Sequence, residues 1–440
     1  MSTRVFRRQL LLSSALVASA LTGYGRRAYG QQVCTLQSGT TYRCAGPSVD
    51  MQNLAGINNA TVTTGADFEV NAATGFVHAV QITGDGAISY TDTDASPLTG
   101  TAAALFLTSY GDDGATQGSV AVNTNGVLTG GDTGIRAANY GAGAVNVTAN
   151  GNVTGTLSVG INAFNSAVGT FLGVTTGAGT TISGGVFGIL VYNGGSGALE
   201  VKANGNVYGT GVGSTGIRAD NTATGGSLTV TTAFGTTVKG SIGIQATSGG
   251  TGELTITADS AVIGTTAAGI SAQSLFGGVT VKTSGIVSGR EGIEVFNSGF
   301  GGADITANGD VTGHSTLGAF GINGLTSAAG TFLKITTGAG TTVSGNFSAI
   351  NAFNYGSGNL EILTNGAVIA NGTGISANNK GSAELDITAN GTVTGTNYFG
   401  VYGYNSAAGT FLKGPPAPVR SSPAIIAAST RATSVPVRST

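Results

Sequence analysis

A six-residue string recurs down most of this chain at a spacing few folds can accommodate. It reads GIRAAN at 134–139, GINAFN at 160–165, GILVYN at 188–193 and GIRADN at 216–221. It returns as GIEVFN at 292–297, AINAFN at 349–354, GISANN at 374–379 and GVYGYN at 400–405. Weaker copies start at Gly243, Gly269 and Gly321, and successive starts lie 23 to 29 residues apart. A unit that short buries its apolar face only against its neighbours, so the period predicts a stacked repeat and overrides a domain count based on length.

Composition narrows the kind of stack. Glycine supplies 77 of 440 residues, and each costs a helix about 1 kcal/mol. No window carries a sustained 3.6-residue apolar stripe, so helical repeats are excluded. Leucine is not the periodic residue, and a propeller blade is longer. Glycine lacks the every-third spacing of collagen. Charged residues are 9% and the mean hydropathy is +0.23, which argues against disorder. A net charge of −2 without a basic stripe leaves no footprint for nucleic acid.

Within one unit, LEVKA at 199–203 alternates apolar and polar residues as a strand does. Asn204-Gly205 reads as a turn, Val207 and Tyr208 as a second short strand, and 209–213 as a second corner. GIRAD at 216–220 is the third strand, with Asn221 opening the third corner. The expected fold is all-β: a right-handed parallel β-helix of about 25-residue, three-strand rungs. Equivalent positions in such a stack lie about 4.8 Å apart. Asn139, Asn165, Asn193, Asn221, Asn297, Asn354, Asn379 and Asn405 are then expected to form a buried amide ladder above a column of inward isoleucines. Ser248, Ser274 and Thr326 hold the same place in the weaker copies and keep hydrogen-bonding capacity. The alternative is that these asparagines sit in turns and face water. A longer repeat lies above the short one. VTANGNVTG at 147–155 returns as ITANGDVTG at 305–313 and ITANGTVTG at 387–395, each followed by GTFL. Block duplication suits a spacer or display surface better than an active site, which needs one unique constellation.

The ends read differently. Residues 1–30 carry Arg4, Arg7 and Arg8 before an apolar run from Leu10 to Leu21 that is too short to span a membrane, the pattern of an export signal. Cleavage is expected after Ala20 or Gly30. Export makes Cys34 and Cys44, the only cysteines, a candidate disulfide stapling the start of the solenoid. Residues 31–100 are expected to form an N-terminal cap and irregular first rungs, with regular rungs over 101–413. Residues 414–440 hold five of the seven prolines and break the pattern. Shifted by one base, the codons for TGAGT at 337–341 spell PAPVR, which stands in register at 416–420. The tail is therefore expected to be a frameshifted, disordered repeat.

The export signal, the early Cys34–Cys44 pair and the Gly/Asn/Thr/Val-rich rungs together resemble the passenger region of bacterial autotransporters, over about Gln31 to Lys413. The resemblance implies a β-helical passenger carried through the outer membrane by a C-terminal barrel. No barrel pattern of paired ten-residue alternating strands stands within these residues, and the frame slip would account for that. Contact with a membrane is accordingly expected only through such a barrel.

Little in the sequence points to chemistry. His78 and His314 lie far apart and read as ordinary surface residues. GDTG at 131–134 has Thr133 where a serine nucleophile would stand, and it overlaps a rung start. Asp112-Asp113 are adjacent, and adjacent strand residues point to opposite faces. No calcium-binding nonapeptides and no phosphate-cradling loop occur. The expectation is an exported, non-enzymatic protein that is periplasmic, secreted or on the cell surface. It would act as an adhesin-like or structural passenger, without cofactor or metal, and meet surface glycans or proteins of a host or neighbouring cell. The competing expectations are a β-helical carbohydrate-active enzyme, which would need clustered carboxylates, and a nonfunctional fragment.

Overall fold

The structure is a computed structural model. It describes residues 33–406 apart from 113, 115, 116, 223 and 315–317, together with the backbone of 412–413 and 425–426. The expected export signal, and the reading of the tail except at 425–426, lie outside the described residues.

The chain winds into three parallel sheets as a β-helix of about 14 turns, roughly 26 residues each, and no helix occurs among the described residues. In a typical turn, Leu199–Ala203 lies in the first sheet, Asn206–Gly209 in the second and Thr215–Asn221 in the third. Each strand pairs with its counterparts one turn before and one turn after. Among the described residues the one antiparallel pairing is at the start, where Cys34–Ser38 folds back on Thr41–Cys44 and covers the edge of the first sheet.

Alternation explains why these residues make this prism. In Leu199–Ala203 the side chains of Leu199, Val201 and Ala203 are buried, while Glu200 and Lys202 face out. Stacking repeats the pattern: Leu172, Leu199, Leu228 and Leu254 form one buried column of the first sheet. Val153, Ile182, Val207 and Val238 form one in the second, and Ile135, Ile161, Ile189 and Ile217 one in the third. Each such side chain contributes about 2 kcal/mol of burial, and it finds that burial only against the rungs above and below.

The glycine that opens the repeated string is fixed by the same stacking. A Cβ at Gly216 would lie 2.7 Å from the Gly243 carbonyl oxygen and 2.7 Å from a methyl of Val238. The backbone of one turn therefore presses on the turn above at this point. At Ala349, and at Ala104 in the rung before Gly134, the column accepts a side chain, and both methyls are fully buried.

Candidate functional site

The first rungs are closed by covalent and polar devices. Cys34 and Cys44 face each other across the hairpin and are joined by a disulfide. The buried side chain of Gln52 accepts hydrogen bonds at Oε1 from the backbone of Val33 (2.8 Å) and Cys34 (3.3 Å). Further in, Asp92 is fully buried. Its carboxylate accepts from the hydroxyls of Thr64 and Thr124 and from the backbone N–H groups of Asp94, Ser96, Asn125 and Gly126, at 2.9–3.2 Å. A buried charge persists only with such a set of partners. Burial, helped by the charge of Asp92, pushes the phenol of Tyr90 well above its ordinary range. The hydroxyl of Tyr90 has no partner among the described residues.

The repeated asparagines end the strands of the third sheet and point inward. Asn139 donates from Nδ2 to Oδ1 of Asn165 (2.9 Å), Asn165 to Asn193 (3.3 Å) and Asn193 to Asn221 (3.0 Å). A second run joins Asn354 to Asn379 (3.1 Å) and Asn379 to Asn405 (2.9 Å). Each amide also fastens its own corner: Asn193 donates to the Gly197 carbonyl (3.0 Å) and accepts from the Gly195 N–H (3.3 Å). Asn297 keeps that corner role, donating to Gly301 and accepting from Gly299, but has no amide on either side. Between the runs, the buried hydroxyls of Ser248 and Ser274 find no partner, and Thr326 donates to the Phe332 carbonyl instead. The hydroxyl is shorter than a carboxamide and does not reach the neighbouring rung. The ladder is thus two segments rather than one.

The outer face of the third sheet carries a run of aromatic side chains. Phe164 and Tyr192 stack in register, 5.6 Å between ring centroids and 4° apart in plane, and Tyr140 leans on Phe164 at 5.3 Å. Tyr140 is tilted 44° from Phe164, and both Tyr140 and Tyr192 are exposed. Nearby, Arg218 pairs with Asp220 at 2.8 Å.

His78 is not the ordinary surface residue its sequence setting suggests. It is half-buried, stacks on Phe106 at 4.4 Å, and accepts a hydrogen bond at Nδ1 from the Ala103 N–H (3.2 Å). Arg136 covers the same phenyl ring at 5.3 Å. Burial, and then the Arg136 charge, hold the imidazole below its usual range. Glu294, on the same face, has its carboxyl pushed up by burial and by Glu291, against the pull of Arg290 and a hydrogen bond from Ser271.

The other sequence candidates are scattered. Asp112 is a corner acceptor for the N–H groups of Gly118 (2.6 Å) and Ala142 (3.0 Å), and Asp113 lies outside the described residues. Asp132 accepts from the Thr133 hydroxyl at 3.0 Å. His314 lies far along the solenoid from His78. No group of three or more His, Cys, Asp or Glu side chains able to hold a metal occurs among the described residues. No family model matches the chain, and no curated protein or solved structure is detectably similar to it.

Proposed function

We propose that this chain is an exported, adhesin-like passenger, similar to those of autotransporters, that acts by presenting a long repetitive surface rather than by catalysis. The observation that carries the reading is the unbroken register of the three sheets over about 14 turns, a prism about 65 Å long at the usual strand spacing. Along it, outward positions recur rung after rung, and weak contacts made at equivalent positions add through multivalency. The partners fitting such a surface are extended glycans or proteins of another cell. Fusing the chain to an outer-membrane barrel on a non-adherent bacterium tests the reading. Cells displaying it should aggregate or bind host cells more than cells displaying the barrel alone. Equal adhesion would refute it.

A further inference from the structure

One edge of the prism, the corner between the third and first sheets, changes character partway along. The corners 194–198, 222–227 and 249–253 hold only Gly, Ala, Ser and Thr apart from Glu253. The next four, 275–278, 298–302, 327–332 and 355–359, bring Leu275, Phe276, Phe300, Phe332 and Tyr355 to the surface, each at least 39% exposed. Backbone bonds hold these corners in register. Phe300 N–H donates to the Phe276 carbonyl (3.0 Å), Thr331 N–H to Gly301 (3.1 Å) and Ser357 N–H to Gly330 (3.2 Å). A Cβ at Gly302 would run into the Phe332 ring, so that ring lies on the backbone of the rung before. The apolar groups form one continuous line, about 14 Å long at the usual strand spacing. Contiguous exposed apolar surface of this kind marks a contact site.

The ends of the line specify its occupant. The corner before it, 249–253, ends in the exposed Glu253, and the corner after it, 380–384, begins with the exposed Lys380. The four corners between them carry no charged residue. The Tyr355 ring holds Lys380 on the line, with the ammonium 4.9 Å from its centroid, and Glu253 accepts from the Thr280 hydroxyl. A two-fold axis through the middle of the line, perpendicular to the solenoid, exchanges its two halves. It sets 249–253 against 380–384, with the last position of one corner opposite the first of the other. Glu253 of one copy then faces Lys380 of the second copy at each end, two ion pairs about 24 Å apart along the axis. Phe276 faces Tyr355, and Phe300 meets Phe332. Glu384, the remaining charge at these corners, falls opposite Gly249, so no like charges meet. An isologous contact requires this self-complementarity. A second apolar run on the same edge, Tyr110, Tyr140 and Val168, lacks it, because its corners hold acidic residues but no lysine or arginine. A lipid surface would cover the aromatic line but leave the two opposite charges without a role.

We infer that this edge pairs two copies of the chain, antiparallel and edge to edge, as a homodimer. The inference goes beyond the adhesin reading and does not rest on it. The contact belongs to the small class, below about 1,200 Å², so a dissociation constant on the order of 100 µM is expected. The test is sedimentation equilibrium of the purified full chain from about 10 µM to about 1 mM, a range that brackets that constant. The weight-average mass should rise from that of one chain toward twice that value and stop there.

Phe300→Ser, at the most exposed of the five positions, should abolish the rise. Lys380→Glu and Glu253→Lys should each weaken pairing at least about 10-fold, because each sets like charges against each other at both ends. Combining the two restores opposite charges and should return the affinity to within about threefold of the unaltered chain. Circular dichroism should be unchanged in all four variants, and recovery in the double variant excludes misfolding as the cause of the single losses. A chain that stays monomeric throughout, whether or not it co-sediments with phosphatidylcholine vesicles, overturns the inference. So do association that survives Phe300→Ser, a mass that runs past the dimer, and charge reversals that fail to restore each other. Pairing of the purified chain without adhesion of displaying cells supports the inference and refutes only the adhesin reading.

Discussion

Asn193 offers the sharpest test of whether the amide ladder holds rungs together or merely decorates them. Its side chain is fully buried and makes four hydrogen bonds: from Nδ2 to Gly197 O and Asn221 Oδ1, and to Oδ1 from Gly195 N and Asn165 Nδ2. Asn193→Ala deletes all four and leaves Gly195 N–H, Gly197 O and Asn221 Oδ1 facing a methyl group. Asn165 Nδ2 keeps only its bond to the Phe171 carbonyl (3.2 Å). At about 1 kcal/mol net for each lost bond, the expected loss is about 4 kcal/mol. The loss should be local, because a solenoid's stability is a sum over rungs and nearest-neighbour interfaces. Urea unfolding should show an earlier transition. Amide exchange should quicken most at the rungs holding Asn165, Asn193 and Asn221. Asn162→Ala, on the outer face of the same sheet, is the control. If Asn193→Ala costs no more than Asn162→Ala, or if its effect spreads evenly over the solenoid, the ladder is not what joins these rungs.

Three other outcomes follow from the same geometry. The double substitution Ser248→Asn and Ser274→Asn should bridge Asn221 to Asn297 and raise the urea midpoint; a lower midpoint would mean the corners there cannot accept a carboxamide. Replacing Cys34 and Cys44 together by serine should cost about 3 kcal/mol from the released loop closure, read as faster amide exchange in the first rungs only. His78 is held below its usual pKa near 6.5, so its neutral form is the one folding favours. The unfolded state then binds more protons in that window, and stability should fall as pH drops through 6.5 toward the depressed folded value, then level off. An NMR titration placing the folded His78 above 6.5 would contradict the geometry.

Much of the fold was legible because two periods agree. Alternation along LEVKA gives the strand and its buried face, and the structure has a strand at Leu199–Ala203 with that face inward. The recurrence of Gly-Ile at about 26 residues gives the stack, and Gly216 pressed against Gly243 shows why the glycine recurs. Strand ends were less legible. Asn221 reads as the start of a corner, yet it closes the strand Thr215–Asn221, since an inward amide can serve both. A string of residues records which position repeats but not how far a side chain reaches. Ser248 and Ser274 occupy ladder positions, and only their stranded hydroxyls reveal the break.

The features missed altogether share a cause: they depend on the lengths of corners, which shift every later register. His78 meets Phe106 and Arg136 only because the intervening corners place three residues from three successive rungs over one another. Asp92 is surrounded by N–H groups up to 34 positions away and has no sequence neighbour announcing its burial. The five-residue corner 210–214 is followed one rung later by the single residue 241, a contrast written in the sequence but meaningless until each corner is assigned to an edge. Repetition fixes the interior, where every rung must satisfy the same neighbours. Departures from it fix the surface, where a single lengthened corner changes what the prism can hold. Shortening the long corner tests that division: deleting two residues from 210–214 should change the surface there and leave the core registers, read by amide exchange of the strands on either side, as they are. If such a deletion instead disturbs the isoleucine column beyond Ile217, corner length and core packing are coupled, and surface and interior are not separable here.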